Sequence, residues 1–161
     1  MRQETEAKQQ KDLQLEEQLR KVRANLKSQI DQGLANVERV GDQILVQLST
    51  QDSFRSGFAE LEATFLPTLG ALGETISELG SKVTISGHTD NIPIAFSERF
   101  LSNWDLSAAR AAAVADFLIQ DNAVAENRID VVGFADTKPI ASNTTPLGRS
   151  QNRRIEILID S

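Results

Sequence analysis

The chain has no cysteine. Disulfide staples, cysteine-based zinc sites and thiol catalysis are therefore excluded. The absence does not fix a compartment, because cysteine-free chains occur in the cytoplasm and the periplasm alike. Tyrosine is also missing, tryptophan occurs once, and aromatic residues make up 5% of the chain, so the core must be mainly aliphatic. No apolar run approaches the ~18–20 residues needed to span a bilayer. The opening stretch MRQETEAKQQKDLQLEEQ also lacks the apolar centre of an export signal. Two readings remain, a cytoplasmic protein or a stretch of a longer exported one, and the motifs described below favour the second. Basic residues are outnumbered, 17 against 23 acidic, giving a net charge of −6. That sign argues against nucleic acid or anionic lipid as a general partner.

What is present fits one ordinary domain with an extension: 161 residues, 40% apolar and 25% charged. Residues 1–30 are rich in Gln, Glu and Lys without Pro or Gly, and Leu15, Leu19, Val22, Leu26 and Ile30 form one helical stripe. The stripe covers about two heptads, fewer than a coiled coil normally needs. Packing on its own domain and a dimer seam stay open alternatives. We therefore divide the chain into a helical linker or seam over 1–35 and a domain over 36–161.

The domain reads as alternating helix and strand, hence α/β: an α+β sandwich with helices packed on one face of a mixed sheet of four to five strands. A hairpin is expected around Gly41-Asp42, with Ile44, Val46 and Leu48 on one strand face. Helices are expected over Pro67–Leu79 and Asn103–Gln120, with a short helical turn over Thr145–Gln151. Strands are expected over Lys82–Ser86, Ile129–Phe134 and Arg153–Ile159.

Within the helix after Asn103, Leu106, Ala113, Val114, Phe117 and Leu118 share a broad core face, and Arg110 falls in the middle of it. An inward guanidinium near the positive end of a helix is unfavourable unless an anion meets it. An anion bound there by Arg110 and the free backbone N–H groups would relieve both penalties. Asn103 and Ser107, within about 60° of Arg110 around the helix, would share that mouth. An internal ion pair with Asp90 or Asp136 explains the same placement, and both readings stand.

Gly87-His88-Thr89-Asp90-Asn91 follows a strand, where α/β sheets place ligands. A carboxylate at Asp90 facing Arg110 suits a zwitterionic ligand. His88 stands without a second His or any Cys, so it reads as a hydrogen-bonding structural residue rather than a metal ligand or base. No catalytic residue, metal or cofactor is expected. Arg149, Arg153 and Arg154 are not interleaved with aromatics, so they read as caps on loop carbonyls and partners of nearby acids, not as a nucleic-acid patch.

Taken together, GHTDN at Gly87–Asn91, NWDLSAARA at Asn103–Ala111, RIDVVGFADTKPI at Arg128–Ile140 and NTTPLGRSQNRRIEI at Asn143–Ile157 resemble the OmpA-like peptidoglycan-binding domain. Order and spacing agree across roughly half the chain. The resemblance implies that Asp90 and Arg110 hold the diaminopimelate of the peptidoglycan stem peptide, with Thr89, Asn103 and Leu106 at the mouth. It implies a binding module rather than an enzyme. A wall hydrolase or amidase is the reading from another class; it would need a metal set or a catalytic acid pair, whereas the chain has one His and no Cys and its motif acids are assigned to ligand binding.

Between Asp90 and Asn103 the stretch NIPIAFSERFLS exceeds the usual family loop, and together with SNWDLSAARA it is similar to MotB/PomB-type flagellar stator proteins. That likeness implies the periplasmic part of a single-pass inner-membrane protein, a homodimer that anchors the flagellar motor stator to the cell wall. It also implies a MotA/PomA-type channel subunit as partner, through a transmembrane segment absent from this sequence, and contacts with periplasmic flagellar ring proteins. A wall anchor of a type VI secretion system, which carries a related SNW-x-LS signature, is the alternative machine.

Overall fold

The computed structural model describes residues 2–55, 58–94 and 99–160. Five strands form one sheet in the order β1-β2-β5-β3-β4: β1 Ala35–Val40, β2 Gln43–Ser49, β3 Val83–His88, β4 Ile129–Gly133 and β5 Arg154–Asp160. The β1–β2 hairpin turns at Gly41-Asp42, where Gly41 adopts φ +61°, a conformation glycine takes without cost. β2 and β3 both pair antiparallel with β5, whereas β3 and β4 run parallel. Parallel neighbours need a crossover, and helix α5, Asn103–Asn122, lies between them in the chain.

Register sorts the two faces. Ile44, Ile159 and Val83 align across three strands, as do Val46, Ile157 and Ile85, and all six are buried. The opposite face carries Gln47, Glu156 and Ser86 in line. Side chains alternate across a strand, so the apolar face takes the helices, while the polar face holds the half-buried Gln47 and Glu156 beside buried Ser86. Helices α1, Arg2–Asn25, and α4, Leu66–Leu79, join α5 there: Leu19 and Val22, Leu69 and Ile76, and Val114 and Leu118 enter one cluster with the strand residues. The mixed sheet with helices on one face is the architecture expected.

The N-terminal stripe is consumed inside the chain. Leu15, Leu19, Val22 and Leu26 are buried in the shared core, and Ile30, in the short helix α2 (Lys27–Asp31), packs against it. Burying each aliphatic side chain is worth ~1.5–3 kcal/mol, enough to hold a helix whose own polar composition would leave it marginal. Polar ties fix its direction: Arg39 pairs with Asp12 at 2.8 Å and Glu16 at 3.1 Å, and Asn25 Nδ2 donates to Thr75 Oγ1 at 2.6 Å. Of the two uses left open for the stripe, the structure shows packing on the chain's own domain.

Some boundaries differ from expectation. β3 begins at Val83 and continues to His88, because His88 still pairs with Arg154. α5 runs on to Asn122 and stops at Ala123 in the left-handed region. Two short helices lie near the sheet's end. α3, Thr50–Ser53, is capped by Ser49 accepting from Gln51 N at 3.2 Å, and α6, Pro146–Asn152, is capped by Thr145 accepting from Gly148 N at 3.0 Å.

Two glycines place α5. Gly87 and Gly133 sit side by side in the parallel register. A Cβ at Gly87 would overlap the Ser107 carbonyl oxygen, and one at Gly133 would come within 2.6 Å of the Ala108 nitrogen. Their bare backbones let the helix lie directly on the strand ends. That contact carries the N-terminus of α5 to the C-terminal ends of β3 and β4.

Candidate functional site

At this junction lies a pocket of about 490 Å³. Thr89 and Asp90 enter it from the exit of β3, while Asn103, Leu106 and Arg110 come from one face of the first two turns of α5. All five residues singled out from the sequence therefore line one cavity. Ser107 does not. It is buried against the sheet, where its hydroxyl accepts from Ala135 N and donates to Trp104 O, both at 3.1 Å. The helix face that reaches the pocket follows the 103/106/110 spacing, and Ser107 points to the strand ends instead.

Arg110 is a buried cation, 5% exposed. Its Nε donates to Phe58 O at 2.8 Å, its Nη2 to Arg55 O at 3.3 Å, and the guanidinium lies 5.2 Å from the centre of the Phe54 ring. Among the described residues it forms no ion pair and its Nη1 has no partner, so the internal pair with Asp90 or Asp136 does not occur. Burial, with the charge of Arg153 adding to it, lowers its pKa to about 10, which leaves it charged at neutral pH. A desolvated cation without a counter-ion is costly, and such groups in clefts mark binding or active sites.

Asp90 has a different partner. Its Oδ2 lies 2.6 Å from Arg153 Nη1, and its Oδ1 accepts from Ile92 N at 3.0 Å. The surrounding turn is tied down. Thr89 N donates to Ala135 O at 2.8 Å, Thr89 Oγ1 to Asp90 O at 2.8 Å, and Asn103 Nδ2 to Ile92 O at 3.0 Å. Ala135 holds φ +52°, an uncommon conformation for a side chain with a Cβ, and it is clamped by both Thr89 and Ser107. The rest of the long loop from Asn91 to Ser102 includes residues 95–98, which lie outside the described residues.

Arg153 was not among the expected site residues, yet a signal for it exists. It shares the parity of Ile155, Ile157 and Ile159, so it points to the helix side, whereas Arg154 is buried on the opposite, polar face. Phe54 and Thr50, from the short α3 segment, also line the pocket and carry no periodic signal. The other arginines of the run act as expected. Arg149 donates to Asn143 O at 3.0 Å, and Arg154 to Lys138 O at 2.8 Å and Glu156 at 2.9 Å.

His88 lies behind the site on the opposite face. It is buried, stacked on Phe134 at 5.3 Å, and its Nε2 is 2.9 Å from Ser86 Oγ and 3.5 Å from Glu156. Burial first, then the charge of Arg154, outweigh Glu156 and lower its pKa to about 4, so it is neutral at pH 7. A larger groove of about 600 Å³ lies between β1–β2 and α6. Its charged member, Arg154, is already paired with Glu156, so the uncompensated charge of Arg110 makes the smaller pocket the functional candidate. Among the described residues no group of three or more His, Cys, Asp or Glu is placed to hold a metal, and no helix is long and apolar enough to cross a membrane.

Residues 53–153 match the OmpA family. The chain is 34% identical over 148 residues to motility protein B of Bacillus subtilis, covering 84% of this chain and 55% of that protein's length. It is 48% identical over 80 residues to the peptidoglycan-binding protein ArfA of Mycobacterium bovis, half of this chain and 23% of that protein. Among solved structures, the cell wall anchor of the type VI secretion system from Pseudomonas aeruginosa superposes with a TM-score of 0.81 at 34% identity. That match covers 87% of this chain and 96% of the other.

Proposed function

The chain belongs to the OmpA family, and from that premise we propose that it is a periplasmic, non-enzymatic anchor that binds peptidoglycan through Asp90 and Arg110. The observation that carries this reading is the buried Arg110 guanidinium, open to a pocket and without an ion-pair partner among the described residues. A carboxylate entering the pocket would pair with Arg110, whose planar fork suits bidentate recognition. An ammonium on the same ligand would meet Asp90. Thr89 and Asn103 hold the turn, and Leu106 supplies an apolar wall. The diaminopimelate end of a stem peptide carries both charges on one short side chain.

Binding rather than hydrolysis fits the chemistry of the lining. Among its described residues the pocket holds one carboxylate, Asp90, and two guanidiniums. A general acid–base pair would need a second proton-exchanging group beside the first.

We assign the machine to a flagellar stator, working as a homodimer with a MotA/PomA-type channel subunit and meeting periplasmic ring proteins. The likeness to motility protein B over most of this chain supports it. With the apolar stripe buried, the exposed first part of α1, Arg2–Lys11, is one segment still open to dimer contacts. A second reading keeps the wall binding and changes the machine. The match along 96% of a type VI secretion cell wall anchor favours it specifically. Deleting the gene separates the two, by loss of swimming or loss of secretion.

The binding claim is tested by co-sedimenting the protein with purified sacculi. Wild type is expected in the pellet, Asp90→Ala in the supernatant, and no soluble wall fragments in either. Equal pelleting of both, or release of fragments, overturns the reading.

A further inference from the structure

The pocket has one cation too many for a simple zwitterion. Arg110 is unpaired among the described residues, Asp90 is paired with Arg153, and no other carboxylate is found among the described lining residues. This local excess of positive charge sits on a chain of net charge −6, so it is not a reflection of composition. A ligand with one carboxylate and one ammonium would neutralise Arg110 and then compete with Arg153 for Asp90. Each Asp90 oxygen already holds a donor, Oδ1 from Ile92 N and Oδ2 from Arg153, and its single negative charge is already matched by that guanidinium. Its side chain is 10% exposed, whereas that of Arg153 is 39% exposed. The carboxylate is therefore fixed and the guanidinium is the member with room to move.

Resting on the proposed peptidoglycan reading, we infer that Arg153 is a specificity residue that recognises a second carboxylate on the stem peptide. When the ligand ammonium takes its place at Asp90, Arg153 turns to the rim and pairs with that carboxylate. The exchange leaves every charge matched: two guanidiniums on two carboxylates, and one ammonium on Asp90. In the wall peptide the α-carboxylate that γ-linked glutamate leaves free, one residue before diaminopimelate, has this chemistry. Amidation of that group removes the charge and leaves Arg153 without a counter-ion, a loss that a charge-assisted contact makes measurable. The site then distinguishes walls by their amidation state, with Arg110 and Asp90 setting affinity for the zwitterionic end in either case.

The test is calorimetric titration of the full chain with two synthetic peptides, acetyl-Ala-γ-D-Glu-diaminopimelate-D-Ala amide with the glutamate α-carboxyl either free or amidated. Wild type is expected to bind the free form about tenfold more tightly. Arg153→Gln is expected to reduce that ratio below about twofold, and Arg153→Lys, which keeps the charge without the fork, to fall between. Equal binding of the two peptides by wild type overturns the inference while leaving the peptidoglycan reading intact, provided Arg110→Ala still weakens both by about tenfold or more. Full discrimination retained by a folded Arg153→Gln overturns it as well. Absence of binding by either peptide overturns both readings together.

Discussion

Asp90 and Arg110 line the same pocket without pairing: the nearest cation to Asp90 is Arg153, at 2.6 Å, while Arg110 donates to the Phe58 carbonyl at 2.8 Å. Had the two formed a closed ion pair, the site would be a structural device and the cavity incidental. Their separation leaves a carboxylate and a guanidinium facing one cavity, each held by protein groups that a ligand need not displace entirely.

Replacing Arg110 by Ala is expected to weaken peptide binding by roughly ten- to a hundredfold, the value of one lost charge-assisted contact. Arg110→Lys should recover little, because an ammonium cannot fork to a carboxylate and leaves the Phe58 and Arg55 carbonyls poorly served. Both variants should keep wild-type far-UV circular dichroism. Calorimetry checks the affinities, and a folded Arg110→Ala with unchanged binding would remove this residue from the site.

Gly87→Ala is expected to destabilise the domain by about 3 kcal/mol or more, since its Cβ would meet the backbone of Ser107 rather than a flexible side chain. The same substitution should weaken ligand binding, because α5 carries Asn103, Leu106 and Arg110 and must back away as one body. Denaturant titration and peptide binding, measured on the same preparation, check the two effects.

Much of this arrangement is legible in the amino-acid order. Alternating Ile155, Ile157 and Ile159 set the core face of β5, and the apolar stripe of α5 made Arg110 conspicuous as a cation where a methylene belonged. The glycine before His88 marked the strand end at which ligand turns gather. Arg153 was harder to read because its meaning depends on register: it reaches Asp90 only because β5 lies antiparallel beside β3, with His88 opposite Arg154. Phe54 and Thr50 were not readable at all. Thr50 opens a four-residue helix and Phe54 is the extended residue that follows it, a stretch too short for periodicity, and their role comes from tertiary placement. The stripe on α1 showed that an apolar surface exists but not whether its cover is the chain's own core or another copy.

Leu19→Ala discriminates between those covers. Leu19 is buried in the common core, so truncation is expected to cost about 2–5 kcal/mol of stability. The association state measured by sedimentation should be unchanged. A variant of wild-type stability with altered association would place the stripe in a seam between chains.

The His88 environment gives the domain an acid-side weakness. Its imidazole has a pKa of about 4, against an ordinary 6.5, so between those values the unfolded chain binds a proton that the folded chain refuses. Stability is therefore full above pH 6.5, falls as pH drops through the window, and stops losing this contribution below about 4. Neighbouring Glu156, raised by burial but held low overall by hydrogen bonds from Gln47 and Arg154, adds its loss only below its ordinary 4.5. Melting temperatures of wild type and His88→Gln from pH 7 to 4 check this, with a shallower slope expected for the variant.

The central claim, that a zwitterionic wall peptide sits between Asp90 and Arg110, is tested most directly by titrating isotope-labelled protein with a diaminopimelate-containing stem peptide and following amide chemical shifts. The account predicts saturable shifts centred on Thr89, Asp90, Asn103 and Arg110, abolished in Asp90→Ala. Saturable binding with its shifts instead around Asn36, Gln47 and Gln151 in the larger groove, or no binding at all, would contradict it.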